Sequence, residues 1–180
     1  MALGKGLESM SIGINTRPRL WRIAFLLLVA SVHSFLLEVP VAAQDASPFV
    51  KLAGRWLGDG RFGTKDGKIE NVKCRVTYVV AEGAQQVRQT IRCATEGTSV
   101  EVQSFVTHNS GELKGTWKEL SRDMSGDLSG SVTPSGFKVA IRGTDLNANM
   151  DIIVKDNKQI IEIQFMSSSL VGLTLVLTKG

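Results

Sequence analysis

The chain has 180 residues, 43% hydrophobic and 21% charged, the balance of one globular domain, which excludes a disordered or collagen-like chain. Two cysteines and two histidines are too few for a zinc cluster or a disulfide-dense miniprotein. The formal net charge of +4 is mild.

Residues 1–43 read as a secretory signal peptide. Lys5, Arg17, Arg19 and Arg22 face a single Glu8, the ten-residue apolar run Ile23–Val32 follows, and Pro40-Val-Ala-Ala43 supplies small residues before Gln44. The apolar run is about half of the roughly 20 residues that a membrane span needs. Cleavage is expected after Ala43, with Ser34 as an alternative and Met10 as a second possible start. No cysteine lies near the cleavage site, so no lipid anchor is expected, and the mature chain has no transmembrane span. It would run from Gln44 to Gly180 with 17 basic against 15 acidic residues, a net +2. A charge so small removes the support for nucleic-acid binding. The expected location is periplasmic or secreted.

After a single helical turn over Ser47–Leu52, the apolar period from Gly54 onward is 2 rather than 3.6. Turn signals recur every ten to fifteen residues: Lys65-Asp-Gly67, Glu82-Gly83, Glu96-Gly97, Asn109-Ser-Gly111, Ser125-Gly126, Pro134-Ser-Gly136, Asp156-Asn157 and Ser167-Ser-Ser169. Short strands at this spacing indicate an all-β sandwich or barrel. Sequential hairpins favour an up-and-down antiparallel barrel.

The first strand contains Gly58-Asp-Gly60-Arg-Phe-Gly63, which satisfies G-x-G-x-x-G. No helix follows to receive a pyrophosphate, so the glycines belong to a sharply coiled strand and nucleotide binding is rejected. In the next hairpin Cys74, Val76, Tyr78 and Val80 share one face, and Val87, Gln89, Ile91 and Cys93 share the matching face of the returning strand. Folding about Gly83-Ala84 sets residue i opposite 167 − i, so Cys74 meets Cys93 within disulfide reach. A two-residue turn there would place the cysteines at a hydrogen-bonded pair, whereas a bulge or longer turn would shift the register. On the outer face Lys73, Arg75, Arg88 and Arg92 fall together, either as a solvated surface or as a site for an acidic partner.

Further on, His108 falls in the predicted Thr107–Gly111 turn, and no nucleophile, base and orienting group assemble around it, so the chain does not read as an enzyme. Ser110-Gly-Glu-Leu-Lys-Gly-Thr-Trp117 repeats as Ser125-Gly-Asp-Leu-Ser-Gly-Ser-Val132 at an offset of fifteen, each read as a turn followed by an alternating strand. Asp145, Asn147, Asn149, Asp151 and Asp156 occupy calcium-loop positions. Met150 replaces the required glycine, however, and Leu146, Ala148, Met150, Ile152 and Val154 alternate with the polar residues as in a half-buried strand. No metal is expected. The chain closes on an apolar face of Val171, Leu173, Leu175 and Leu177.

Gly54-Arg55-Trp56, opening the first strand after the helical turn, resembles the G-x-W start of the calycin-type barrels: lipocalins, avidins, fatty-acid-binding proteins and nitrobindin-like proteins. The resemblance implies a meander of about eight to ten strands over the whole mature chain. It also implies a tryptophan packed across the barrel floor and an open end that takes an apolar ligand. Thr144-Asp-Leu146 only partly matches the lipocalin Thr-Asp-Tyr, and the C-terminal end lacks the histidine with which nitrobindin-like proteins ligate haem, so no cofactor is expected. The chain is also similar to small secreted bacterial envelope proteins that share Leu52-Ala-Gly-Arg-Trp56 and the cysteine hairpin.

Trp56, Tyr78, Gln89 and Trp117, each on an apolar strand face, are the expected ligand-lining residues. Two readings of them stand side by side: they border a pocket for an apolar or amphipathic small molecule, or they fill the core of a small barrel. A second functional class is a periplasmic protein–protein module, such as a protease or lysozyme inhibitor, using Gln44–Val50 as an extended arm. The leader makes the first testable statement. Mass spectrometry of the exported protein should find an N-terminus at Gln44 or within a few residues of it, and an intact Met1 species resident in the cytoplasm would overturn the export reading.

Overall fold

Ten strands follow one another with hardly a helical residue between them. They are β1 (Gly54–Thr64), β2 (Ile69–Val80), β3 (Gln86–Ala94), β4 (Ser99–Asn109), β5 (Glu112–Glu119), β6 (Met124–Thr133), β7 (Gly136–Gly143), β8 (Asn147–Lys155), β9 (Lys158–Phe165) and β10 (Leu170–Lys179). The computed structural model describes residues 47–81 and 83–180; the expected leader, its cleavage site and residues 44–46 lie outside the described residues. Each strand pairs antiparallel with its sequence neighbours, and β10 returns to β1, so the meander closes into a barrel without edges.

The two ends of the barrel differ. At one end the β4–β5, β6–β7 and β8–β9 connections have two residues each and the β2–β3 connection has five. At the other all five connections have three or four. The first of these is the filled end. A 3-10 turn at Val50–Leu52 buries Leu52, Phe49 stacks on Phe137 at 5.8 Å, and Trp56 is wholly buried with its indole Nε1 donating to the Leu52 carbonyl at 2.7 Å. His108 lies in β4, not in the expected turn. It pairs with Leu113, accepts the Gly111 N–H at Nε2 (2.9 Å), and therefore carries its proton on Nδ1, 2.6 Å from Gln85 Oε1. The imidazole thus caps the β4–β5 hairpin.

In β1, Gly58 and Gly60 allow close approach to β10. A Cβ would stand 2.0 Å from the Val176 carbonyl oxygen at the first position and 2.2 Å from that of Thr174 at the second. The β2–β3 register is residue i opposite 167 − i, and Cys74 and Cys93 form a disulfide with Cα atoms 4.2 Å apart. The turn is longer than two residues: the Ala81 N–H donates to the Gln86 carbonyl, closing the hairpin one rung earlier. That one-rung change leaves every pairing intact and alternates the hydrogen-bonded rungs. The cysteines consequently occupy the closer, non-hydrogen-bonded site.

Ser125-Gly126 is not a turn. Both residues lie in β6, and the β5–β6 connection is Leu120–Asp123. It needs no glycine because the buried Glu119 carboxylate accepts the Ser121 and Arg122 backbone N–H groups at 3.0 and 2.7 Å, while Asp123 takes a left-handed φ of 55°. The repeat has a different purpose from the one expected. In the β5–β6 register Leu113 faces Gly130, Gly115 faces Leu128 and Trp117 faces Gly126, so each bulky inward residue meets a glycine of the other copy. Gly126 has no room for a side chain, since a Cβ would lie 1.9 Å from the Arg142 carbonyl oxygen.

Two predictions follow from these hairpins. Thiol labelling of denatured, unreduced protein should find no free cysteine, and Cys74→Ser should lower stability by roughly 2–4 kcal/mol; two reactive thiols would contradict the bond. At Glu119, burial raises the carboxyl pKa, but the Ser121 and Arg122 donors outweigh it and the net shift is downward from 4.5. The linked stability is therefore complete above the ordinary carboxylate value and is lost as pH falls through the lower folded value. Because the group stands at the end of a strand, screening limits the effect. Glu119→Gln should cost about 1 kcal/mol at neutral pH, a gap that closes in acid denaturation profiles.

Candidate functional site

Strand alternation decides which side chains point inward; strand tilt decides how deep each one sits. Cross-strand partners form rows perpendicular to the strands, and in a tilted barrel each row climbs along the axis. One row begins at Gly54 beside the filled end and runs through Tyr78, Gln89, Ser104 and Trp117 to Gly126 and Gly143 beside the open end. A second runs from Trp56 through Val76, Ile91 and Val102 to Glu119 and Met124. Each row joins the floor of the barrel to its mouth.

Above the floor the barrel is not full. A cavity of about 350 Å³ is bounded below by Gln89, Ser104, Ile161 and Leu175, and reaches Met124, Leu146 and Phe165 toward the open end. That volume lies within the roughly 300–1,000 Å³ of small-molecule sites. The side chains facing it are predominantly apolar, and among the described residues the only charged ones on its wall are Glu119 and Arg122, both at the open end.

Of the four residues expected to line a pocket, Gln89 and Trp117 stand on this wall. Trp117 is nearly buried and anchors its Nε1 to the Arg142 carbonyl at 3.3 Å. Trp56 and Tyr78 point inward too, but they do not reach the cavity: they start their rows at the filled end, and Trp56 sits under the Val50–Leu52 turn. Parity is the same for all four, and only the register separates their depths.

A buried polar network crosses the base. The Ser104 hydroxyl donates to Gln89 Oε1 at 2.8 Å, and Gln89 Nε2 donates to the Tyr78 hydroxyl at 3.1 Å. The Gln159 carboxamide lies across that same hydroxyl, with Nε2 at 2.9 Å and Oε1 at 3.2 Å. Burial pushes the Tyr78 phenol up to about 12 despite its two glutamine partners, so it stays neutral and serves as a hydrogen-bonding hub. Ser104 and Glu119 were legible as inward positions from strand parity, as polar residues on otherwise apolar faces. Parity likewise places Gln159 on the face of Ile161, Ile163 and Phe165, but its partner Tyr78 lies 81 residues away and is not local.

Other expected features stay outside the barrel. Lys73, Arg75, Arg88 and Arg92 do share the outer face of β2–β3, with Arg75 directly opposite Arg92. Arg92 is held by Glu101 through two bonds of 2.8 and 3.1 Å. The Asn149 and Asp151 side chains lie along β8 next to Arg142 and Lys138, while Ala148, Met150 and Ile152 are buried behind them. Of the expected arm Gln44–Val50, the described part is docked. The Ser47 hydroxyl bonds the Ala84 carbonyl and Phe49 is buried.

No family model and no curated protein sequence matches the chain. Solved structures resemble it in fold, among them these two. Rv2717c from M. tuberculosis superposes with a TM-score of 0.62 at 11% identity, over 75% of this chain and 98% of its own. The S-type phycobiliprotein lyase CPES from Guillardia theta superposes with a TM-score of 0.55 at 9% identity, over 73% and 90%. At these identities the likeness is one of fold, that of a closed antiparallel barrel.

Proposed function

We propose that the protein is a binding module that holds one apolar or amphipathic small molecule inside the barrel. The observation that carries this reading is the apolar cavity of about 350 Å³ above a floor sealed by Trp56, Leu52 and Phe49. Burying such a molecule removes apolar surface from water on both sides, at about 25 cal/mol per Å² before the costs of association. The open end supports entry from solvent or from a lipid surface, because Ile69, Leu120, Met166 and Val171 lie exposed on or beside its connections. The Cys74–Cys93 disulfide is compatible with work in an oxidising compartment outside the cytoplasm, in keeping with the leader expected from the sequence.

The test is a tryptophan fluorescence titration of delipidated protein against fatty-acid-like and terpenoid-like compounds. Trp117 stands on the cavity wall and Trp56 in the floor, away from the cavity, so the two indoles have different parts to play. A saturable emission change that is abolished in Trp117→Phe and kept in Trp56→Phe supports the reading. A flat response across the panel would make the cavity a packing void and turn attention to a protein partner.

A further inference from the structure

The polar network at the base of the cavity has hydrogen-bonding capacity left over. Gln89 Nε2 carries two protons, and one is taken by the Tyr78 hydroxyl. Ser104 spends its single proton on Gln89 Oε1, so its oxygen can only accept further. Gln89 and Ser104 both border the cavity, whereas Tyr78 and Gln159 lie behind them. The base therefore presents one N–H donor and one hydroxyl acceptor side by side, at the bottom of an otherwise apolar chamber.

From this we infer that the ligand enters polar end first, and that this end is an uncharged hydroxyl. The inference rests on the ligand-binding reading and adds to it the head group and the direction of insertion. A hydroxyl can accept the free Gln89 N–H and donate to Ser104 Oγ, matching both vacancies at once. A methyl end would leave that N–H buried without a partner, which is costly. A carboxylate finds only one donor there and faces two oxygens, Gln89 Oε1 and Ser104 Oγ. It also finds no cation among the described residues at the base, because Arg122 is the one basic group they place on the wall and it belongs to the β5–β6 connection at the mouth. Tyr78 and Gln159 hold the Gln89 carboxamide from behind, so its orientation is set before the ligand arrives. The apolar tail then points up the chamber toward Met124, Leu146 and Phe165.

The experiment compares three chains of one length, decan-1-ol, decanoate and 1-chlorodecane, by titration of the Trp117 emission or by displacement of a bound apolar fluorophore. Decan-1-ol should bind roughly ten-fold more tightly than either of the others. Gln89→Leu and Ser104→Ala should each remove most of that preference; two variants guard against one failing to fold, which thermal unfolding would show. Arg122→Ala should leave the alcohol's affinity as it is. Equal affinity for all three compounds, or a preference for decanoate that disappears in Arg122→Ala, would overturn the head-group inference while leaving the binding module intact. Failure of all three to bind saturably would instead defeat the ligand-binding reading itself.

Discussion

The buried hydrogen bond from the Trp56 indole to the Leu52 carbonyl determines which end of this barrel is closed. A tryptophan inside an apolar core must place its N–H on an acceptor or lose the free energy of a hydrogen bond to water. Here the acceptor comes from the 3-10 turn Val50–Leu52, so satisfying the indole also pulls the N-terminal segment across the end of the barrel. Phe49 follows it inward and stacks on Phe137, and the tight two-residue hairpins around this end leave little to fill. With one end sealed in this way, the side chains of β1–β10 fill the barrel from the bottom, and the unfilled volume lies toward the opposite end.

Strand tilt then sorts the inward residues by depth, which explains how far the sequence could be read. Alternation identifies the interior faces of β2 and β3, and the 167 − i relation predicts the Cys74–Cys93 bond because a hairpin register is a local property. The barrel as a whole is legible from repeated hairpins and the Gly54-Arg55-Trp56 opening. Depth is not local. Trp56 and Trp117 share the same parity and the same glycine two positions before them, yet one lies in the floor and the other on the cavity wall, because their rows reach them at different heights. Ser125-Gly126 misleads for a related reason. Glycine before an alternating run reads as a turn, but Gly126 is where the β7 backbone at Arg142 comes too close for a side chain, while Glu119 builds the turn from its own carboxylate.

The site that emerges combines two kinds of chemistry kept apart by height. Charge stands at the mouth, in Glu119 and Arg122; neutral hydrogen-bonding groups stand at the base, in Gln89 and Ser104 with Tyr78 and Gln159 behind them. Buried polar side chains are tolerated because each has a partner, and no described buried side-chain nitrogen or oxygen lacks one altogether. A network held this firmly is suited to orienting a ligand, while the apolar walls supply affinity without direction. The fold shared with Rv2717c and with the Guillardia theta lyase shows that such a barrel is an available scaffold; the function argued for this chain comes from its own cavity and polar base.

The central claim is physical: a sealed floor with an unfilled, largely apolar space above it. Xenon is a direct probe of such space, because it enters apolar cavities and is excluded from well-packed or wet ones. A crystal of the protein pressurised with xenon should show bound atoms above Gln89 and Ser104, bordered by Leu128, Ile161 and Leu175, and none between Trp56 and Leu52. Absence of xenon from that chamber, with the surrounding side chains collapsed into it, would contradict the account.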